Sequence, residues 1–448
     1  MFTKQKMWYD NENKVELWQV NTMSEQLPIY EARAVTVMDA DTGFVIYENA
    51  QHQHMYPASI TKIMTALLVI EEVPDLSQEL VISESAVDLP YYAARMNLQP
   101  GDTMTVYEAL YGLMLPSGND IANALAEHVS GSVEAFVSQM NTRAEELGAS
   151  NTRFINPCGL PGDNQHVTAF DMALIMREAI GHPVFNQVIS SSHFNISPMD
   201  SMPEGQALIN TNRMINPALE EYNSDIVGGK TGFTNAAQHT LVSYAQQGDR
   251  SLIISVLYTP RGVTFTDTAA LMDYAFSLPM FRVLDADTQY WKVPVTQYID
   301  GETTELATVT VMPSESFRLP LPQTMPTIRS ELLMPPHLDA PVRSGDIVGY
   351  KHIYVGEQRL AEIGLISTET VLAPSLVLES ASQVQTRTPL FQNSIEISPT
   401  LVMLPLSIVM VFGMLLALMR RRRVLLRRRR RIERAARHAQ YVRALQME

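Results

Sequence analysis

The sequence predicts an α+β domain whose sheet is closed by distant segments, then a small all-β domain, then a C-terminal transmembrane helix. Three observations predict this. Strand patterns flank a helical middle in the first 282 residues, short β-branched runs between Pro and Gly follow from Val283, and residues 400–419 carry no charge. The 448 residues are 46% hydrophobic and 18% charged, enough apolar material for two or three packed domains and far too much for a disordered chain.

Taken in order, residues 1–30 are polar and lack periodicity, a poorly ordered lead-in to a first domain at 31–282. Residues 34–47 contain two β-rich runs broken by Asp39-Ala-Asp-Thr-Gly43, a hairpin signal. Apolar residues then recur at helical spacing over 60–72, 107–114, 120–129, 133–147 and 169–180. Strand patterns return at 207–209, 240–245 and 252–258, and a helical stretch at 268–276 completes the domain. In 283–373, runs such as 308–312 and 347–355 are short and β-branched, which makes this an all-β domain. Residues 374–399 form a polar stalk.

Residues 400–419, TLVMLPLSIVMVFGMLLALM, span roughly 30 Å as a helix, the thickness of a bilayer core. The tail at 420–448 holds 12 Arg against only Glu433 and Glu448, a net charge of +10, so the overall −15 conceals −25 on everything before it. Arginines directly after an apolar span place the C-terminus in the cytoplasm and the preceding domains outside. A tail that binds nucleic acid or anionic lipid in its own right is the alternative, but a topology lock accounts for the same arginines. The acidic remainder excludes a protein built to neutralise phosphates. An exported domain needs a leader, and the first 30 residues contain no apolar run of that kind. Either the start has lost or replaced a signal peptide, which is the expectation, or export uses the C-terminal helix, unusual for so large a preceding domain. The single cysteine, Cys158, excludes intramolecular disulfides and multi-cysteine metal sites.

Lysine is scarce: only Lys4, Lys6, Lys14, Lys62, Lys230, Lys292 and Lys351 occur. Two of them fall in motifs. Lys62 follows Ser59 by three residues in Pro57-Ala-Ser-Ile-Thr-Lys62, and Lys230 opens Lys230-Thr-Gly232. On a helix, positions three apart share a face, so a neutral Lys62 can take the Ser59 proton. Helix-start N–H groups favour the negative charge that develops there. Between them in the chain lies Ser117-Gly-Asn119, the second of three motifs in sequence order. Its hydroxyl can relay a proton, and its amide can grip a substrate carbonyl or hold a lysine. Each element alone is commonplace, and Ser-Gly-Asn is more often a helix cap. The order SxxK, SxN, KTG belongs to penicillin-recognising serine enzymes.

With these motifs the chain resembles the serine-type D-alanyl-D-alanine carboxypeptidases of peptidase family S11, the low-molecular-mass penicillin-binding proteins. The similar segments run in order: ASITKIMTALLVIEE, LMLPSGNDIANALAEHVSGS, FVSQMNTRAEELGASNTRFINPCGL, HVTAFDMALI and GGKTGFTNAAQHTLVSYA. They cover residues 34 to about 276, and APVRSGDIVGY is similar to the family's C-terminal β-domain. The resemblance implies a β-lactamase/transpeptidase-like fold, a helical cluster on an antiparallel sheet. It implies Ser59 as nucleophile, Lys62 as general base and Ser117 as proton relay. Asn119, Lys230, Thr231 and Gly232 would bind substrate, and the N–H groups of Ser59 and Phe233 would form the oxyanion hole. The expected partners are peptidoglycan stem peptides, β-lactams as covalent inhibitors, and the membrane through the C-terminal helix. No metal, cofactor or nucleic acid is expected.

The departures are few. Gln238 stands where the family usually has Gly after its Asn-Ala-Ala, and Arg261 is the nearest candidate for the downstream Arg that binds the substrate carboxylate. His166 and Cys158 are read as structural, and His52 and His54 lack further zinc ligands. A rival is a β-lactamase, but no Glu between Leu160 and Lys230 fits a water-activating role, Glu204 lying in a Pro-Glu-Gly turn. A catalytically vestigial cell-wall binding protein is the non-enzyme alternative.

Overall fold

The computed structural model describes residues 3–10, 15–21, 27–299, 301–320 and 327–373. The first domain is built on a five-stranded antiparallel sheet, in the order Val45–Asn49, Ala34–Asp39, Arg250–Thr259, Gln238–Gln247, Ile226–Thr234. Ala34 pairs with Leu257 across more than half the domain, so distant segments do close the sheet. Nearly every residue of Arg250–Thr259 is buried, as expected of a central strand covered on both faces.

On one face lie the helices Lys62–Glu72, Val106–Met114, Asn119–Ser130, Val133–Glu146, Ala169–Ala179 and Pro183–Ile189, packed around Ile63, Leu67, Leu110, Leu125, Phe136 and Met176. Three of these helix starts are capped by side chains. Thr105 and Glu108 form a reciprocal capping box, and Ser132 and Thr168 accept the N–H of Ala135 and Asp171. Helix Thr264–Ser277 covers the opposite face. This is the α+β arrangement of a helical cluster on an antiparallel sheet.

The β-rich region carries an eight-stranded sheet, in the order Thr3–Asp10, Val15–Asn21, Ile328–Leu333, Ile347–Val355, Gln358–Ser367, Glu302–Pro313, Trp291–Ile299, Leu338–Asp339. Two of its strands correct the reading of residues 1–30 as a lead-in without structure. Val15–Asn21 pairs antiparallel with Ile328–Leu333, and a Glu16–Lys351 ion pair at 3.0 Å ties it to the neighbouring strand. Backbone ladder bonds and this ion pair each tie Val15–Asn21 to the sheet, and neither leaves a periodic apolar signal in the sequence.

One apolar cluster runs from the first domain into the β-rich region. Leu271, Met272 and Tyr274 of the covering helix and Leu278 just after it share it with Leu319, Ile328, Ile353 and Ile363. Among the described residues no helix is long and apolar enough to cross a membrane. The predicted stalk at 374–399, span at 400–419 and tail at 420–448 lie outside the described residues.

Candidate active site

Ser59 sits in a single turn of 3-10 helix, Ala58–Thr61, that feeds directly into helix Lys62–Glu72. This places Ser59 and Lys62 on one face. Lys62 Nζ lies 3.1 Å from Ser59 Oγ, 2.6 Å from Asn119 Oδ1 and 2.8 Å from the Cys158 carbonyl oxygen. The side chain is wholly buried, and desolvation pushes its pKa down to about 8, against a weaker upward pull from Cys158 and Asp120. An amine in that range supplies neutral base at ordinary pH while remaining able to return a proton.

The Ser117 turn brings a second hydroxyl alongside. Ser117 adopts a left-handed φ of 68°, the Gly118 N–H bonds the Gly112 carbonyl, and helix Asn119–Ser130 starts immediately after. Ser117 Oγ is buried and has no hydrogen-bond partner among the described residues. A non-glycine residue held in this region with an unsatisfied hydroxyl is strained and under-bonded, features that cluster at functional sites.

The third motif lies on the sheet's edge strand, Ile226–Thr234. Lys230 is buried, donates from Nζ to the Thr231 carbonyl at 2.9 Å, and is held well below an ordinary lysine by burial and then by the charge of Lys62. Thr231 Oγ1 lies 2.6 Å from Thr211 Oγ1. Gly232 is where the strand meets the nucleophile's turn: a Cβ there would stand 2.9 Å from the Ser59 nitrogen and 2.4 Å from Thr240 Oγ1. Gly159 does the same from the other side, since its Cβ would fall 1.8 Å from the Ala58 carbonyl oxygen at a φ of 88°. Thr240 Oγ1 donates to the Pro57 carbonyl at 3.0 Å and completes the cradle.

These groups line one cavity of about 880 Å3, together with Thr211, Arg213, His239 and the exposed Tyr91, Tyr92 and Phe233. It is within the usual size of small-ligand sites. Ser59, Ser117, Asn119, Thr231, Gly232 and Phe233 all contribute to its wall, with Lys62 and Lys230 buried behind it. Arg261 is exposed and outside the lining, its charge felt instead by His239, whose pKa falls through burial and then through that charge. The guanidinium that does line the cavity belongs to Arg213, paired with Glu221 at 2.9 Å. Sequence reasoning passed over Arg213 because nothing in Asn210-Thr-Asn-Arg213 sets it apart. The Cys158 carbonyl was equally hidden, a backbone atom having no sequence signature.

Gln238 has a left-handed φ of 52° and donates from its amide to the Asn235 carbonyl at 2.7 Å. That backbone conformation is what a glycine accepts at no cost. The histidines singled out in the sequence pack on rings, His54 on His166 and His52 on Phe170. Glu71, Glu178 and His182 stand close enough to hold a cation, but Arg143 already bonds both carboxylates, at 2.7 and 2.9 Å.

Comparison with known proteins gives a consistent result. The sequence model of the D-alanyl-D-alanine carboxypeptidase family, Peptidase_S11, matches residues 21–260, more than half the chain. The D-alanyl-D-alanine carboxypeptidase DacF of Bacillus subtilis is 30% identical over 358 residues, 76% of this chain and 86% of that protein. DacC of Escherichia coli is 31% identical over 360 residues, 77% of this chain and 86% of that one. Penicillin binding protein 5 of Haemophilus influenzae superposes with a TM-score of 0.60 at 25% identity, covering 78% of this chain and all of that structure.

Proposed function

The chain belongs to the D-alanyl-D-alanine carboxypeptidase family, peptidase S11, and is a serine hydrolase of that specificity; from that premise we propose that its reaction runs through an acyl-enzyme on Ser59. The observation that carries the mechanism is the Lys62 amine, buried and within hydrogen-bond reach of both Ser59 and Asn119. Neutral Lys62 takes the Ser59 proton as Oγ attacks the carbonyl carbon between the two terminal D-alanines. The tetrahedral oxyanion would be met by the N–H groups of Ser59 and Phe233, a reading supported by the close approach of Gly232 to the Ser59 nitrogen. The C–N bond then breaks, and the proton held by Lys62 reaches the leaving nitrogen through Ser117 Oγ. Free D-alanine departs. Water attacks the ester, gives up a proton by the same route, and Ser59 regains its hydrogen.

The terminal carboxylate of the substrate would lie against Thr231 and Thr211, facing the Lys230 side of the strand. Arg213, on the cavity wall, supplies the guanidinium first sought at Arg261. No carboxylate belongs to that wall among the described residues, which supports carboxypeptidase action over β-lactamase action, since rapid penicillin hydrolysis of the class A kind uses an acid to activate water. β-Lactams would therefore acylate Ser59 and remain. Residues 400–419 would anchor the enzyme as a single span, with the site outside and the arginine tail in the cytoplasm.

Incubation with a stem pentapeptide, followed by mass spectrometry, tests the reading. Loss of one alanine, abolished in Ser59→Ala, is expected, whereas an unchanged peptide or activity surviving in Ser59→Ala would overturn it. For the anchor, the full chain should stay with membranes through alkaline carbonate washing and be released when it ends at residue 399.

A further inference from the structure

Resting on the assignment of Ser59, Lys62 and Ser117 to the reaction, we propose that Asp120 is a positioning residue for it. Its carboxylate pins one wall of the cavity to the Ser117–Asn119 turn and adds negative charge one residue along from Asn119, whose Oδ1 lies 2.6 Å from the Lys62 amine. Asp120 is 1% exposed. One oxygen accepts the Met96 N–H at 2.8 Å and the other the Ile121 N–H at 3.0 Å, with the Leu98 N–H as a further donor. The adjacent Asn119 N–H donates to the Ala94 carbonyl at 3.0 Å. Two successive residues, Asn119 of the motif and Asp120 directly after it, thus hold the 94–98 segment, and Ala94 of that stretch lines the cavity with Ala93 and Ser117.

A neutral side chain could supply the same acceptor, so the charge calls for its own explanation. A buried carboxylate is costly unless its lone pairs are filled, and here backbone N–H groups fill them. Burial raises the Asp120 carboxyl, and these donors offset only part of that rise. The groups facing Lys62 are Ser59 on its own turn, Asn119 and Asp120 on one helix, Cys158 on the 156–160 loop and Lys230 on the edge strand. Of these only Asp120 is a carboxylate, and its charge favours the ammonium form of Lys62, opposing burial.

The test follows acylation of the full chain by a fluorescent penicillin across pH, in wild type, Asp120→Asn, Asp120→Ala and Lys62→Ala, with thermal melting to verify folding. Asp120→Asn keeps an acceptor for Met96 but loses the charge. Its acid limb should move to lower pH by about half a unit or more, with a plateau within about threefold of wild type. Asp120→Ala loses both functions, and its plateau should fall about tenfold or more as the wall shifts. Profiles of both variants that overlay the wild type would overturn the proposal. Should Asp120→Ala fail to fold, the Asp120→Asn limb decides alone: displaced supports the proposal, undisplaced sinks it. Normal acylation by Lys62→Ala would instead overturn the catalytic assignment itself, so the two failures are distinguishable.

Discussion

Lys62 Nζ lies closer to Asn119 Oδ1, at 2.6 Å, than to Ser59 Oγ, at 3.1 Å. The second motif therefore grips the base of the first, and the amide's role, left open between gripping substrate and holding a lysine, includes the latter. This relationship makes the protonation of Lys62 the quantity on which the reaction turns.

Because burial brings Lys62 down to about 8, the base is mostly protonated below that pH and mostly neutral above it. Acylation by a β-lactam should rise about tenfold per pH unit in the acid range and level off near the Lys62 value. A rate that is flat across neutral pH would contradict the assignment. The same depression has a consequence for stability. The unfolded lysine holds its proton up to the ordinary 10.5 while the folded one releases it near 8, so this group's contribution to stability increases with pH between those values.

Asn119→Asp would place a carboxylate against the Lys62 amine. Opposite charge favours the ammonium, so the acid limb should move up by about one unit or more. Asn119→Ala, which removes the acceptor without adding charge, should lower the rate without that displacement. Penicillin labelling at several pH values separates the two.

Gly159→Ala forces a Cβ into the Ala58 carbonyl in a left-handed conformation. Destabilisation by about 2 kcal/mol or more is expected, measured by denaturant unfolding, together with reduced labelling of Ser59. Gly232→Ala, whose Cβ meets the Ser59 nitrogen, should lose labelling out of proportion to any loss of stability.

Arg213→Ala should raise KM for a peptide with a free C-terminal carboxylate by about tenfold, since a guanidinium–carboxylate bond is lost. Arg261→Ala, at an exposed position off the cavity wall, should change KM by no more than about twofold. Steady-state kinetics on the two variants would reverse the assignment if Arg261 proved the sensitive one.

Much of this site was legible because its chemistry is tied to residue types at fixed spacing. Ser59 and Lys62 must share a helix face, and the helices around them bury apolar stripes that periodicity reveals. The strand Ile226–Thr234 was less visible: Gly228, Gly229 and Gly232 dilute the β-branched pattern because backbone and side chains of neighbouring segments occupy the space their Cβ atoms would take. Arg213 and Asp120 stayed hidden for another reason. Their importance comes from where the fold brings them, against Glu221 and the cavity in one case and against the Met96 and Ile121 N–H groups in the other.

The apolar cluster shared by helix Thr264–Ser277 and the β-rich region has thermodynamic reach. Modules that divide one core cannot melt independently without wetting the other's half of it, so calorimetry should register a single endotherm for both. A ligand bonded at Ser59 would then slow amide exchange in strands such as Ile347–Val355 that lie outside its cavity.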